Sequence, residues 1–395
     1  MTASNAGAFE VAVAHATAPI AKPSATAGAT SPATRTKLAS ATSPSLVLAT
    51  GGTGGHIFPA LAVAEVAAAD GIDVLVLGQK GGMEERLTAQ AGVPFHGVSA
   101  GKWHRGRPSP GQALKAMTGV VEAWQYLRRH RPTVVIGFGG FASYPGCFAA
   151  ARLKVPLVLH EGNAYPSQVN RWLAADAELV IVAQEQALAH LPRRKRSLVV
   201  PFPVRERVME RAAARASLGL AHDAVVTLVM GGSQGSAVLN RVVPAAYQTA
   251  KAAYPALEVV HSAGAGNAPG VTAASAGLSG YHVADFLDAP TAWGAADLAI
   301  TRAGVGTLSE AALNGVPLLM IPLPSSAEDH QLHNAKAVET AGAGIVVQEH
   351  ELERLHDAWL SLLEPDARRS AAAASAARTP VGAARRILDA VMELT

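Results

Sequence analysis

Several things are scarce in this sequence of 395 residues. There is one cysteine, Cys147, which excludes an internal disulfide and leaves no cysteine cluster for a metal. A reducing, cytoplasmic setting fits. No uncharged apolar run reaches the ~18 residues that a membrane span requires. Basic residues outnumber acidic ones by only 3, too small an excess to call for nucleic acid as a partner. No Asp-x-Asp pair is present to chelate a divalent ion. His330, His333 and His350 do not fall at the spacing of a recognised ligand set, so neither metal nor cofactor is expected. No repeat of 20–50 residues is apparent. Residues 1–45 are mostly Ala, Ser, Thr and Pro with no helical or strand period, so a disordered tail is expected there. That stretch has no basic start followed by an apolar segment, so it does not read as a secretory leader.

What is present is a rhythm. From Leu46 onward, short apolar runs alternate with segments of helical period: LVLAT (46–50), VLVLG (74–78), VVIGF (134–138), LVLHE (157–161), LVIVA (179–183) and LVVPF (198–202). Runs buried on both faces and separated by helices predict parallel βαβ units. The pattern resets after Pro201-Phe202-Pro203 and restarts with VVTLVMG (225–231), VVHSAG (259–264), LAITR (298–302) and PLLMIPL (317–323). The expectation is α/β: two doubly wound domains, 46–202 and 203–395, with ligands at the carboxyl ends of the strands and in the cleft between the domains.

Three glycine turns carry the chemistry. The stretch 301–334 reads as a strand, a turn with Gly304 and Gly306, a helix from about Thr307, a strand and a polar loop. Bare glycines let a ligand approach the backbone, and a helix N-terminus suits phosphate. Glu310, one turn in, is placed to accept two sugar hydroxyls. An ordinary strand–turn–helix unit would read the same way. The first turn, ATGGTGGHIFPALAVAEVA (49–67), is neither a dinucleotide fingerprint, whose third glycine would fall on Ile57, nor a Walker loop. Its helix is expected from about Pro59, with His56 projecting from the loop. An imidazole suits proton transfer near neutral pH, although a histidine that bonds loop backbone is the alternative. The second turn, MGGSQGSAVLN (230–240), offers backbone amides and the Ser233 hydroxyl to a pyrophosphate, or is a tight turn only. A fourth glycine stretch, 139–146, reads as a plain connection or as a contact for a second phosphate-bearing ligand.

GGTGGHIFPALAV, GKWHRG (101–106), HEGNAYPSQVNRWLA (160–174), GGSQGSAVLN and AGVGTLSEAALNGVPLLMIPLP…DHQLHNA occur in one order at one spacing. Together, over about 46–392, they resemble the MurG family of N-acetylglucosaminyltransferases. The resemblance implies a GT-B fold and transfer of GlcNAc from UDP-GlcNAc to undecaprenyl-linked lipid I, giving the lipid II precursor of peptidoglycan at the cytoplasmic face of the bacterial membrane. It places Thr53, Gly54, Gly55 and Asn163 on the donor sugar. Arg205 and Ser233 go to the diphosphate, Leu287 against uracil, and Val305, Gly306, Thr307, Leu308, Ser309 and Glu310 around phosphates and ribose. Gln331 goes to the GlcNAc hydroxyls with His330 beside it, His160 and Glu161 shape the acceptor side, and His56 is the general base. The sequence departs from the family at Pro201-Phe202, at Gly162 and at Ser143-Tyr144-Pro145.

Residues 102–131 hold seven basic residues (Lys102, Arg105, Arg107, Lys115, Arg128, Arg129, Arg131) against one acid, Glu122, interleaved with Trp103, Met117, Trp124, Tyr126 and Leu127. That mixture suits an anionic membrane surface or a solvated helix packed on its own domain. Rival readings are a GT-B transferase with another acceptor, which would lack the 101–106 and 160–174 motifs, and a non-catalytic nucleotide-sugar-binding subunit, against which His56, Glu310 and Gln331 together argue. The failed fingerprint disfavours a dehydrogenase.

Overall fold

A computed structural model describes residues 45–102, 109–192, 194–232, 235–326 and 329–395. The low-complexity tail, Trp103, Arg105, Arg107 and Ser233 lie outside the described residues.

The first sheet has seven parallel strands. They are β1 (Ser45–Ala49), β2 (Asp73–Gln79), β3 (Phe95–Val98), β4 (Val134–Gly137), β5 (Leu157–Glu161), β6 (Leu179–Val182) and β7 (Ser197–Val199), in the order β3-β2-β1-β4-β5-β6-β7. The second has six: β8 (Val225–Met230), β9 (Leu257–Ser262), β10 (Tyr281–Ala284), β11 (Leu298–Thr301), β12 (Leu318–Met320) and β13 (Gly344–Val346), in the order β10-β9-β8-β11-β12-β13. Both orders turn outward from the first strand, so the crevice of each sheet opens beside β1 and β8.

Strand period two splits each core into two layers. Leu46 and Leu48 of β1 enter one cluster, while Val47 and Ala49 enter the other. In the second sheet Val226 and Leu228 face one side and Val229 the opposite one. Helices cover both faces, which is why the central strands read as unbroken apolar runs.

Three strands are absent from the sequence reading: β3, β10 and β13. All three are sheet edges. An edge strand is covered less completely, so it needs no doubly buried run: β3 is Phe-His-Gly-Val and β13 is Gly-Ile-Val. The expected 317–323 strand is shorter, Leu318–Met320.

The segment 203–395 does not close as one unit. Its last helix, Ala383–Met392, packs on the first sheet, where Ala383, Ala384, Ile387, Leu388 and Val391 join Leu46 and Val63 in one cluster. Burial of each larger side chain there contributes about 1.5–3 kcal/mol. Arg385 pairs with Asp70 beside it. The chain thus crosses between the domains twice, once near 200–204 and again before 383.

Candidate active site

The carboxyl ends of β1, β4 and β5 face the turn after β11. After β1, Gly51 (φ 144°) and Gly52 (φ 88°) take conformations that side chains disfavour. The helix then begins at Gly54, five residues before Pro59, so His56 lies in its first turn rather than on the loop. Thr53 is the N-cap, and His56 N–H donates to its carbonyl at 3.1 Å. The Thr53 hydroxyl and His56 Nδ1 are 3.0 Å apart, which fixes the ring and leaves Nε2 as the other working nitrogen.

A second glycine pair forms the wall. A Cβ on Gly139 would lie 3.1 Å from His56 Cδ2, and one on Gly140 would lie 3.0 Å from His56 Nδ1. Residues 139–140 are therefore more than a plain connection: they are small so that the imidazole fits. Burial, with the charge of His330 opposite, lowers the His56 pKa to about 4. The ring is neutral at neutral pH and able to accept a proton.

His160, next to last in β5, is fully buried between the rings of Phe138 (5.3 Å) and Phe202 (5.8 Å). Burial, then His56, lowers its pKa to about 3. Glu161 is buried too, and burial pushes its carboxyl up while hydrogen bonds oppose the rise. It accepts from Asn163 N (2.9 Å), Asn163 Nδ2 (3.2 Å), Ser167 N (2.8 Å) and Asn170 Nδ2 (2.9 Å). Glu161 is thereby committed to folding the 162–170 loop, and so to placing Asn163.

On the other domain, Gly304 caps the helix Val305–Leu313, which starts two residues before the expected Thr307. The free N–H groups of its first turn and its dipole make an anion-favouring end. Thr307 and Ser309 are partly exposed, and Leu308 is buried in the core. Val305 packs with Phe202 and Val204 of the interdomain linker, so its contribution to a ligand is backbone. A Cβ on Gly306 would lie 4.0 Å from the Phe202 ring. Glu310 is held by the indole of Trp293, whose Nε1–H donates to Oε2 at 3.0 Å, and burial raises its pKa. Gln331 Oε1 accepts from Ala303 N (3.1 Å) and Leu323 N (3.0 Å), which leaves its NH2 as the donating end. Leu287 is half-buried against the core just before the helix Ala289–Ala295.

Arg205 points back to the first domain, its Nε 3.3 Å from Glu65, and Arg207 meets the same carboxylate. Partial burial holds the Arg205 guanidinium below its ordinary pKa, with Glu65 working the other way.

Three residues given no role in the sequence reading help build this site. Asn334 is fully buried and staples the domains: Oδ1 accepts from Ala164 N (3.0 Å) and Gln184 Nε2 (3.1 Å), and Nδ2 donates to Asn163 Oδ1 (3.2 Å) and Ala303 O (3.4 Å). Its spacing of three from Gln331 on one helix was the available signal. Trp293 orients Glu310, and Phe202 touches His160, Gly162 and Val305 at once. Neither has a local signature.

The helix Pro110–His130 divides the apolar residues read there. Leu127 is buried, Trp124 is half-buried under Arg128, and Tyr126 stacks between His96 and His130. Leu114, Met117 and Val121 form an outward stripe, 65%, 67% and 54% exposed. No described helix is long and apolar enough to cross a membrane.

Residues 46–182 match the glycosyltransferase family 28 N-terminal domain, and residues 226–387 match the family 28 C-terminal domain. The chain is 44% identical over 374 residues to a Deinococcus deserti protein named UDP-N-acetylglucosamine–N-acetylmuramyl-(pentapeptide) pyrophosphoryl-undecaprenol N-acetylglucosamine transferase, covering 88% of this chain and 97% of that protein. The Deinococcus radiodurans protein of the same name is 42% identical over 378 residues, covering 88% and 94%. Among solved structures, Acinetobacter baumannii MurG superposes with a TM-score of 0.73 at 28% identity, covering 89% of this chain and 99% of that one. The two-sheet architecture is the GT-B arrangement.

Proposed function

Because the chain belongs to glycosyltransferase family 28, among the transferases that bear the name shared by the Deinococcus proteins, we infer that it moves N-acetylglucosamine from UDP-GlcNAc to lipid I, forming lipid II for peptidoglycan. The observation that carries the mechanism is the position of His56. It is a neutral imidazole in the first turn of a helix, gripped by Thr53 and by the 139–140 glycines, in range of His330 on the other domain.

In this reading the acceptor's 4-hydroxyl gives its proton to His56 and attacks the anomeric carbon from the face opposite UDP. The α-linked donor then yields a β-linked product in a single displacement. A pKa of about 4 makes His56 available but weakly basic. The diphosphate, bringing negative charge nearby, raises it toward the useful range. The N-terminus of the helix Val305–Leu313, with Ser233, meets the charge that develops on UDP. Glu310 takes the ribose hydroxyls, and Gln331 donates to the sugar beside Asn163, Thr53, Gly54 and Gly55. Leu287 lies against the base. Arg205 reaches the diphosphate by leaving Glu65, a pair in which Glu65 is exposed and Arg205 half-buried, worth on the order of 1 kcal/mol.

The acceptor is lipid-borne. The outward Leu114–Met117–Val121 stripe, beside Lys115, Arg128 and Arg129, supports docking on an anionic leaflet, the cytoplasmic face of the membrane. The activity test is UDP release with UDP-GlcNAc and a short-chain lipid I analogue, with His56→Ala expected to lower kcat far more than it raises donor KM. Near-normal kcat in that variant removes His56 from the base role. For docking, replacing the three stripe residues by Ser should reduce co-sedimentation with anionic liposomes, and unchanged binding refutes the membrane reading.

A further inference from the structure

Behind the first glycine turn sits a carboxylate that the transfer chemistry does not use. Glu84 lies in the first turn of the helix Met83–Ala91 and is 1% exposed. Among the described residues no cation pairs with it. Its Oε1 accepts from Gln79 N at 2.7 Å, and its Oε2 from Gly52 N at 3.4 Å. Three glycines close around it: an added Cβ would lie 2.0 Å from Oε1 at Gly51, 2.6 Å from Oε2 at Gly82 and 2.7 Å from Cγ at Gly78. The chain gives up three side chains to seat one carboxylate.

The seat leads to His56. The Gly51 carbonyl is so close to Gly140 that a Cβ there would stand 2.3 Å from it, and the same Cβ would stand 3.0 Å from His56 Nδ1. Thr50, just before the turn, donates its hydroxyl to the His56 carbonyl at 2.6 Å. A shift of residues 51–52 therefore passes to the wall and to the backbone of the imidazole together.

We propose that Glu84 is a positioning residue that pins the Gly51–Gly52 turn, and through it holds His56 at the reacting centre. The proposal rests on the reading of His56 as the base. A carboxylate suits the seat because two N–H groups from separate segments need two acceptor oxygens on one planar fork. Gln would turn an NH2 toward one of those N–H groups, and Asp is one methylene short.

The test is Glu84→Gln, assayed for UDP release, with Glu84→Asp as the second variant and circular dichroism with a thermal melt to establish that each is folded. The expected result is a kcat loss of about 10–100-fold, the cost of a sub-ångström to ångström misplacement, larger than any accompanying rise in donor KM. In a His56→Ala background the same change should cost less than about twofold more, because residues that act as a unit are non-additive. Unchanged kcat in a folded Glu84→Gln protein overturns the proposal, and so does an equal loss in both backgrounds. If His56→Ala alone retains full activity, the base reading fails instead, and a persisting loss in Glu84→Gln then assigns Glu84 to the turn and not to His56.

Discussion

Replacing Asn334 by Ala is the most informative single perturbation of the domain interface. The side chain makes four hydrogen bonds, of 3.0, 3.1, 3.2 and 3.4 Å, that join Ala164, Gln184 and Asn163 of the first domain to Ala303 of the second. Two of the groups it satisfies, Ala164 N–H and Ala303 C=O, belong to buried residues. Each orphaned buried group costs about 1–3 kcal/mol, so their loss is worth roughly 2–6 kcal/mol. Gln184 and Asn163 are half-buried and recover part of their bonding from water. An unfolding entropy of about 2.1 cal/mol/K per residue gives ~1.2 °C per kcal/mol for a chain of this size, so Tm should fall by roughly 2–7 °C in differential scanning calorimetry. Asn163 also loses a partner, so donor KM should rise. Asn334→Asp keeps the two accepted bonds but buries a carboxylate whose second oxygen faces two acceptors, Asn163 Oδ1 and Ala303 O, so at neutral pH it should be at least as destabilising as Ala. A Tm within about 1 °C of wild type, with unchanged KM, would refute the idea that this amide closes the interface.

Three further outcomes follow from the geometry. Gly266→Ala, at φ 72°, meets nothing within 4 Å and should lose only about 1–2 kcal/mol in urea melts from backbone strain with kcat unchanged, whereas Gly140→Ala, at φ 77°, also puts a methyl 2.3 Å from Gly51 O and 3.0 Å from His56 Nδ1, so it should lose more stability than that and lose kcat by about 100-fold. The active form of His56 is neutral and its pKa is lowered to about 4, so kcat/KM should hold from pH 7 down past 6 and fall only well below 6.5; a half-maximum at 6.5 or above refutes the assignment. Trp293→Phe removes the indole donor to Glu310, and UDP binding by calorimetry should weaken by about 3–10-fold with kcat nearly unchanged; unaltered binding takes Glu310 off the ribose.

How far the sequence speaks depends on how local each cause is. Doubly covered central strands must be apolar on both faces, so β1, β4, β6, β8 and β11 announce themselves. The edges β3, β10 and β13 do not, because half-covered strands tolerate His, Gly and Tyr. The helices begin earlier than local signals suggest, at Gly54 and at Val305. Pro59 suits a first turn but lies in the second, and the glycines at 304–306, which suit a loop, cap and open the helix instead.

The residue string determined the two-part plan, the parallel strands and the glycine bends at the carboxyl ends of the strands, because these follow from side-chain size, period and backbone freedom within a few positions. Tertiary structure decided the rest. Asn163 and Asn334 are 171 positions apart, Gly52 and Glu84 are 32 apart, and the last helix returns to the first sheet. A hydrogen bond formed across such a separation leaves no trace in the neighbourhood of either partner, so only the folded chain shows which polar groups grip the imidazole and hold the domains together.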